Sequence, residues 1–214
     1  MPRKEKIIVF SAHSDDFVIG AGGTIAKYTQ GKNKVLAIVF SYGELSHPWL
    51  KKKVVQKMRY KETVEASKVL RCQATFYDLR EGKFLDDYRE KNMKQTLVQL
   101  LQKEKPTKIF THSHEDPHPD HRAVHEITLE VFNELPVKPE LYMYSIWNPV
   151  SFNTHYPSLY VNVSKTFSLK LKSLWKFRSQ KVHVVYPFVL LMYKAIKDGI
   201  RMRTRFGEHF FRIR

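Results

Sequence analysis

Two short stretches of this 214-residue chain concentrate side chains that bind metals and move protons. One is Ala12-His13-Ser14-Asp15-Asp16-Phe17; the other is Thr111-His112-Ser113-His114-Glu115-Asp116-Pro117-His118-Pro119-Asp120-His121. Two imidazoles plus one carboxylate, with a fourth position left for water, make a catalytic zinc site. The same donor set accommodates Fe2+, Co2+ or Mn2+. A His and an Asp three residues apart reach one ion from a single tight turn. Either cluster alone is a weak signal, because Asp and His are common in loops and at helix starts. Together they carry weight, because each follows directly on a buried apolar run.

Those runs come from the elements that must position the clusters. Residues 7–10 are continuously apolar, as expected of a strand covered on both faces. Gly20-Ala21-Gly22-Gly23-Thr24 leads into a helical pattern, and a second apolar run follows at 35–40. Strand, helix and strand within this length form a right-handed βαβ unit. Helices are expected near 50–70, 92–104 and 121–132, and strands at 75–77, 108–111 and 141–146. The alternation predicts an α/β fold: a single Rossmann-like three-layer domain over residues 1–214, doubly wound around a mostly parallel central sheet. In such sheets ligands bind past the carboxyl ends of the strands, where both clusters fall.

The motifs resemble a known family. Ala12-His13-Ser14-Asp15-Asp16 followed by Gly22-Gly23-Thr24 is similar to the AHPDDE…GGT signature of the LmbE/PIG-L family of zinc-dependent N-acetylglucosaminyl deacetylases. His118-Pro119-Asp120-His121 is similar to that family's HPDH motif. Weaker similarities run through Gly43-Glu44, Arg59-Tyr60-Lys61-Glu62, Leu79-Arg80-Glu81-Gly82, the segment from Lys170 to Ser179-Gln180, and Gly207-Glu208-His209-Phe210. The resemblance implies a metal, Zn2+ in the family, held by His13, Asp16 and His121. It implies Asp15 as general base on a metal-bound water. It also implies that His118 stabilises the oxyanion and protonates the leaving amine, with Asp120 fixing the tautomer of His118. Arg59 and Glu81 fall where the family binds sugar hydroxyls. The implied reaction removes acetate from an acetylated amino-sugar conjugate. An acylated non-sugar amine stays open as substrate, as does a catalytically altered member that works as a binding module. Two departures stand out: Ser14 replaces the family's Pro, and Phe17 replaces its Glu, which is expected to remove a carboxylate from the edge of the site. His112 and His114 are read as loop-bonding histidines outside the ligand set.

The net charge of +16 is unevenly spread. Residues 165–214 hold 13 Lys/Arg against only Asp198 and Glu208, leaving 24 basic and 19 acidic residues before them. The stretch 184–193 is apolar and too short to span a bilayer, which takes about 20 residues. Pro187 suits a first helical turn. Phe188, Leu191, Met192 and Ala195 then form one face, with Lys194, Lys197, Arg201, Arg203 and Arg205 beyond it. This segment either packs on the sheet with its cations in solvent or lies on an anionic membrane surface. The charge lies away from both clusters, so a pure nucleic-acid or membrane module would leave those clusters unexplained. A lone Cys72 excludes an internal disulfide. With an N-terminus too short in apolar residues for a signal peptide, it places the expectation in the cytoplasm, peripheral to a membrane at most.

Overall fold

The computed structural model describes residues 4–148, 156–180 and 185–214. Strand β1 (Lys6–Ser11) leads into α1 (Asp16–Gln30), β2 (Lys34–Val39), α2 (Lys52–Leu70) and β3 (Gln73–Phe76). There follow α3 (Phe84–Glu90), α4 (Met93–Glu104), β4 (Lys108–His112), α5 (Pro119–Asn133) and β5 (Glu140–Tyr144). The C-terminal part adds β6 (Ser158–Asn162), α6 (Phe167–Leu174), α7 (Val185–Arg201) and β7 (Gly207–Arg212). The seven strands form one sheet in the order β3-β2-β1-β4-β5-β7-β6. The first five are mutually parallel, and β7 runs antiparallel to both β5 and β6.

The parallel strands are apolar on both faces because helices cover both. One side buries Ile7, Val9, Val35, Ala37 and Phe110 against α1 and α6, and the other buries Ile8, Phe10, Ile38 and Ile109 against α4 and α5. Phe17 lies wholly within the first of these cores. The expectation that it alters the edge of the site is therefore corrected. At the start of α1 successive side chains diverge by the helical angle, which sends Asp16 to the strand end and Phe17 under the sheet.

The sequence pattern leaves the antiparallel edge undetected, since β6 and β7 alternate weakly and α3 is only seven residues long. It does join segments that look unrelated in sequence. Glu208 at the head of β7 accepts from the backbone N–H groups of Gly23 (3.0 Å) and Thr24 (2.7 Å) and pairs with buried Lys170 of α6 at 2.5 Å. A Cβ on Gly23 would lie 2.8 Å from Val163 Cβ, so close approach at that turn of α1 requires glycine. Helix α7 packs as its periodicity predicts, with Leu191 and Ala195 buried and Phe188 and Met192 partly so. Lys181 and Val184, at the start of the apolar stretch, lie outside the described residues. No helix among the described residues is long and apolar enough to cross a membrane.

Gly20 of α1 faces the ring of Tyr144, and an added Cβ would stand 2.3 Å from Tyr144 Cδ2. That ring is fixed by its hydroxyl, which donates to Phe10 O at 2.6 Å. Gly20→Ala should therefore destabilise the fold by about 1–3 kcal/mol despite the better helix propensity of Ala. Urea unfolding of the two proteins measures the difference.

Candidate active site

The order of the sheet reverses between β1 and β4, and there the clusters meet. Ligand sites in doubly wound sheets lie at this switch point. His13 sits in the turn after β1, Asp16 opens α1, and His121 occupies the first turn of α5. Asp16 closes its own turn by accepting from His13 N at 2.7 Å. Its Oδ2 then lies 3.4 Å from His13 Nδ1 and 3.4 Å from His121 Nε2. Ligand atoms bound tetrahedrally at about 2.0–2.1 Å stand about 3.4 Å from one another, so the spacing fits one small divalent ion. One donor atom from each of the three residues fits within a 4.8 Å group. His13, His118 and Asp120 form a second such group, sharing His13.

The electrostatics of these side chains follow from this crowding. Burial works against charge on His13, but Asp120, Asp16 and Glu81 outweigh it and raise its pKa to about 10. Burial likewise opposes charge on His121, and Asp16 and Asp116 raise it to about 9. Asp16 is held well below the usual carboxylate range: burial opposes this, and the neighbouring His121, His112 and His13 overcome it.

The other predicted residues surround a cavity of about 560 Å³, which is lined by His13, Asp15, Asp16, Arg59, Glu81, His118, Asp120 and His121 among others. Asp15 Oδ1 accepts from Arg59 Nη2 at 3.1 Å. Arg59 is 1% exposed, donates from Nε to Tyr42 O at 2.9 Å, and leaves a buried Nη1 without a partner. It is thus a buried cavity residue and takes no part in a surface ion pair. Gly43, at φ 80°, passes so close to the guanidinium that a Cβ would lie 3.2 Å from Nη2. Glu81 accepts from Leu45 N at 2.8 Å, and its other oxygen lies 3.9 Å from His13 Nε2. The Glu81 turn is braced by Asp87, which accepts from Arg80 N at 2.8 Å.

Asp120 departs from its expected partner. Its carboxylate lies 3.3 Å from His13 Nε2 and accepts from Gly82 N at 2.9 Å, so it orients a metal-ligand candidate in place of His118. The His118 ring is instead fixed by the backbone: Nδ1 accepts from Asp120 N at 3.2 Å as the cap of α5. Burial and the charges of His13 and His121 lower the pKa of His118, which is therefore neutral with its proton on Nε2.

The family resemblance assigned no role to Asp116, which is completely buried. Its Oδ1 lies 3.0 Å from His121 Nδ1 and accepts from His118 N at 3.1 Å. Its Oδ2 accepts from Ile146 N (3.1 Å) and Trp147 N (3.2 Å). The available clue was an Asp-Pro turn signal just ahead of His118. His112 is buried and accepts from Ala12 N at 3.0 Å, and burial followed by the charge on His121 lowers its pKa to about 4. It is a strut between β1 and β4, as expected. His114 is exposed and packs against His125.

Two expectations follow. A metal ion must displace the protons of His13 and His121, so loading near pH 7 should release close to two protons. Apparent affinity should climb about a hundredfold per pH unit there and level off above the two pKa values, as read by metal titration against a competing chelator. Asp116→Ala frees the His121 ring and should weaken metal affinity by about 10–100-fold in the same titration.

Comparison with known proteins places the chain in a family. The chain is 25% identical over 198 residues to the diacetylchitobiose deacetylase of Thermococcus kodakarensis, covering 82% of this chain and 70% of that one. It is 30% identical over 127 residues to the 4-oxalmesaconate hydratase of Pseudomonas putida, covering 55% of this chain but only 46% of the hydratase. Among solved structures, the N,N'-diacetylchitobiose deacetylase of Pyrococcus horikoshii superposes with a TM-score of 0.83 at 24% identity, over 98% of this chain and 84% of that one, which shows the shared fold. The model of the PIG-L family, described as GlcNAc-PI de-N-acetylase, matches residues 8–132, and the chain belongs to that deacetylase family.

Proposed function

We propose that the protein is a metal-dependent amide hydrolase that removes the acetyl group from an acetylated amino-sugar conjugate. The observation that carries this reading is the placement of Asp15 and His118 beside the His13, Asp16 and His121 group in one cavity. An ion held by those three residues, zinc in the first instance, would polarise the amide carbonyl and activate water.

The chain's own groups supply the remaining services. Asp15, fixed by Arg59, accepts the proton of the attacking water. The carbonyl oxygen gains negative charge as the C–O bond forms, and the Nε2–H of neutral His118 donates to it. When the C–N bond breaks, the nitrogen takes back the proton held by Asp15, leaving acetate and a free amine. Unpartnered Arg59 Nη1, together with Glu81 and Gln180 in the cavity wall, supplies donors and acceptors that suit sugar hydroxyls better than an apolar amine.

The match to a hydratase favours one second reading, addition of water to a conjugated double bond by the same base and donor. Acetate release from a panel of N-acetylglucosamine conjugates, with metal content measured on the same sample, separates the two. Hydration without acetate would overturn the deacetylase reading. Asp15→Asn should lower turnover by about 10²–10⁴-fold, the span of a general base. His118→Ala should lower it by about 10²–10³-fold, as loss of one oxyanion donor does. Activity that survives prolonged chelation would count against both reactions.

A further inference from the structure

Lys170 and Lys194 aside, the described cations of the C-terminal quarter serve neither the site nor the core. Helix α7 buries Leu190, Leu191 and Ala195, yet it turns a second apolar row outward. Val189, Tyr193, Ile196 and Ile200 are 62%, 52%, 44% and 70% exposed, and their spacing of four, three and four places them on one helix face. Lys197 flanks this row, and exposed Arg203 and Arg205 follow it. Single exposed apolar residues are ordinary on a protein surface, but a continuous row marks an interaction site.

A similar surface borders the cavity. Leu45, Trp49, Leu50 and Val54 are all exposed, interleaved with exposed Lys51 and Lys53. Leu45 and Ser46 belong to the cavity wall, and Ser46 Oγ accepts from Gln180, also in that wall, at 3.1 Å. Helix α7 also reaches the cavity wall: Lys194 Nζ donates to Ser145 O (3.0 Å) and Ile146 O (3.2 Å), and Ile146 and Trp147 line the cavity. The rim at 45–54 and helix α7 thus both reach the cavity wall.

We propose that the outer row of α7 and the rim at residues 45–54 seat this end of the molecule on an anionic lipid bilayer, with the cavity beside the membrane surface. The composition selects that occupant. Aliphatic side chains with Trp and Tyr, bordered by Lys and Arg, suit the boundary between acyl chains and anionic headgroups. A second copy of the chain would bring the same positive charge against itself. Nucleic acid would use the cations but offers nothing to Val189, Ile196 and Ile200, which are not stacking platforms. Docking stands on these surfaces alone and does not depend on the reaction proposed above.

The test is co-sedimentation of the full chain with vesicles of phosphatidylcholine, or of phosphatidylcholine mixed with phosphatidylglycerol, at low and high salt. Binding is expected to the mixed vesicles at low salt and to be much weaker on phosphatidylcholine alone. Ile196→Asn with Ile200→Asn, and separately Arg203→Gln with Arg205→Gln, should each weaken it by at least about tenfold while melting temperature and metal affinity stay unchanged. Trp fluorescence should shift to the blue on binding, and Trp49→Phe should diminish that shift. Absence of binding to mixed vesicles overturns the proposal. So does binding that only the arginine pair affects together with equal retention on an RNA homopolymer, because charge alone would then explain it.

Discussion

A single buried oxygen, Asp16 Oδ2, holds the functional end of the molecule together. It closes the turn after β1 by accepting from His13 N, and it faces His13 Nδ1, His121 Nε2 and His112 Nε2 within 3.5 Å. A carboxylate taken out of water is costly unless other charges or hydrogen bonds compensate it. The two flanking imidazoles provide that compensation as cations in the metal-free chain, and a divalent ion would provide it when bound. The same atom ties β1 and α1 to β4 and α5, so the fold and the site share one electrostatic constraint.

Polar groups placed progressively farther out hold this centre. Asp120 and Asp116 each face the outer nitrogen of one histidine, and both carboxylates are further fixed by backbone N–H groups. Fixing the outer nitrogen sets ring orientation and makes the inner nitrogen a better ligand. Beyond them, Glu62 of α2 accepts from Ser179 N and Ser179 Oγ, which positions Gln180 at the cavity. Glu208 and Lys170 do comparable work beneath α1. Such networks confer rigidity only if each member is satisfied, and Arg59 Nη1 is one of several buried atoms left open, placed at the cavity where a ligand would meet it.

The C-terminal quarter has two physical roles. Its inner residues close the sheet with an antiparallel edge and supply Glu208 and Lys170 to the region under the site. Its outer residues present charge and an apolar row that the fold itself does not need. One amphipathic pattern explains the inner face of α7, and the outer row is the part that the bilayer proposal accounts for.

The sequence by itself determined the chemistry available and the elements that carry it. Imidazoles and carboxylates directly after buried apolar runs pointed to the strand ends of a parallel sheet, and β1, β2, β4, β5, α2, α4 and α5 formed within a few residues of where the patterns place them. Local periodicity carries that information because a buried strand or an amphipathic helix is defined by its own side chains. Tertiary structure alone decided the partnerships. Asp120 meets His13 across 107 residues, Arg59 meets Asp15 across 44, and Glu208 meets Gly23 across 185. The family resemblance implied Asp120 as partner of its neighbour His118, but a motif records order along the chain, whereas hydrogen bonds form through space, and the carboxylate lies against His13 and Gly82 N. Phe17 and Asp116 show the same divide: one turn of backbone sends the first into the core, and burial beside His121 gives the second a role that its place in the motif did not reveal.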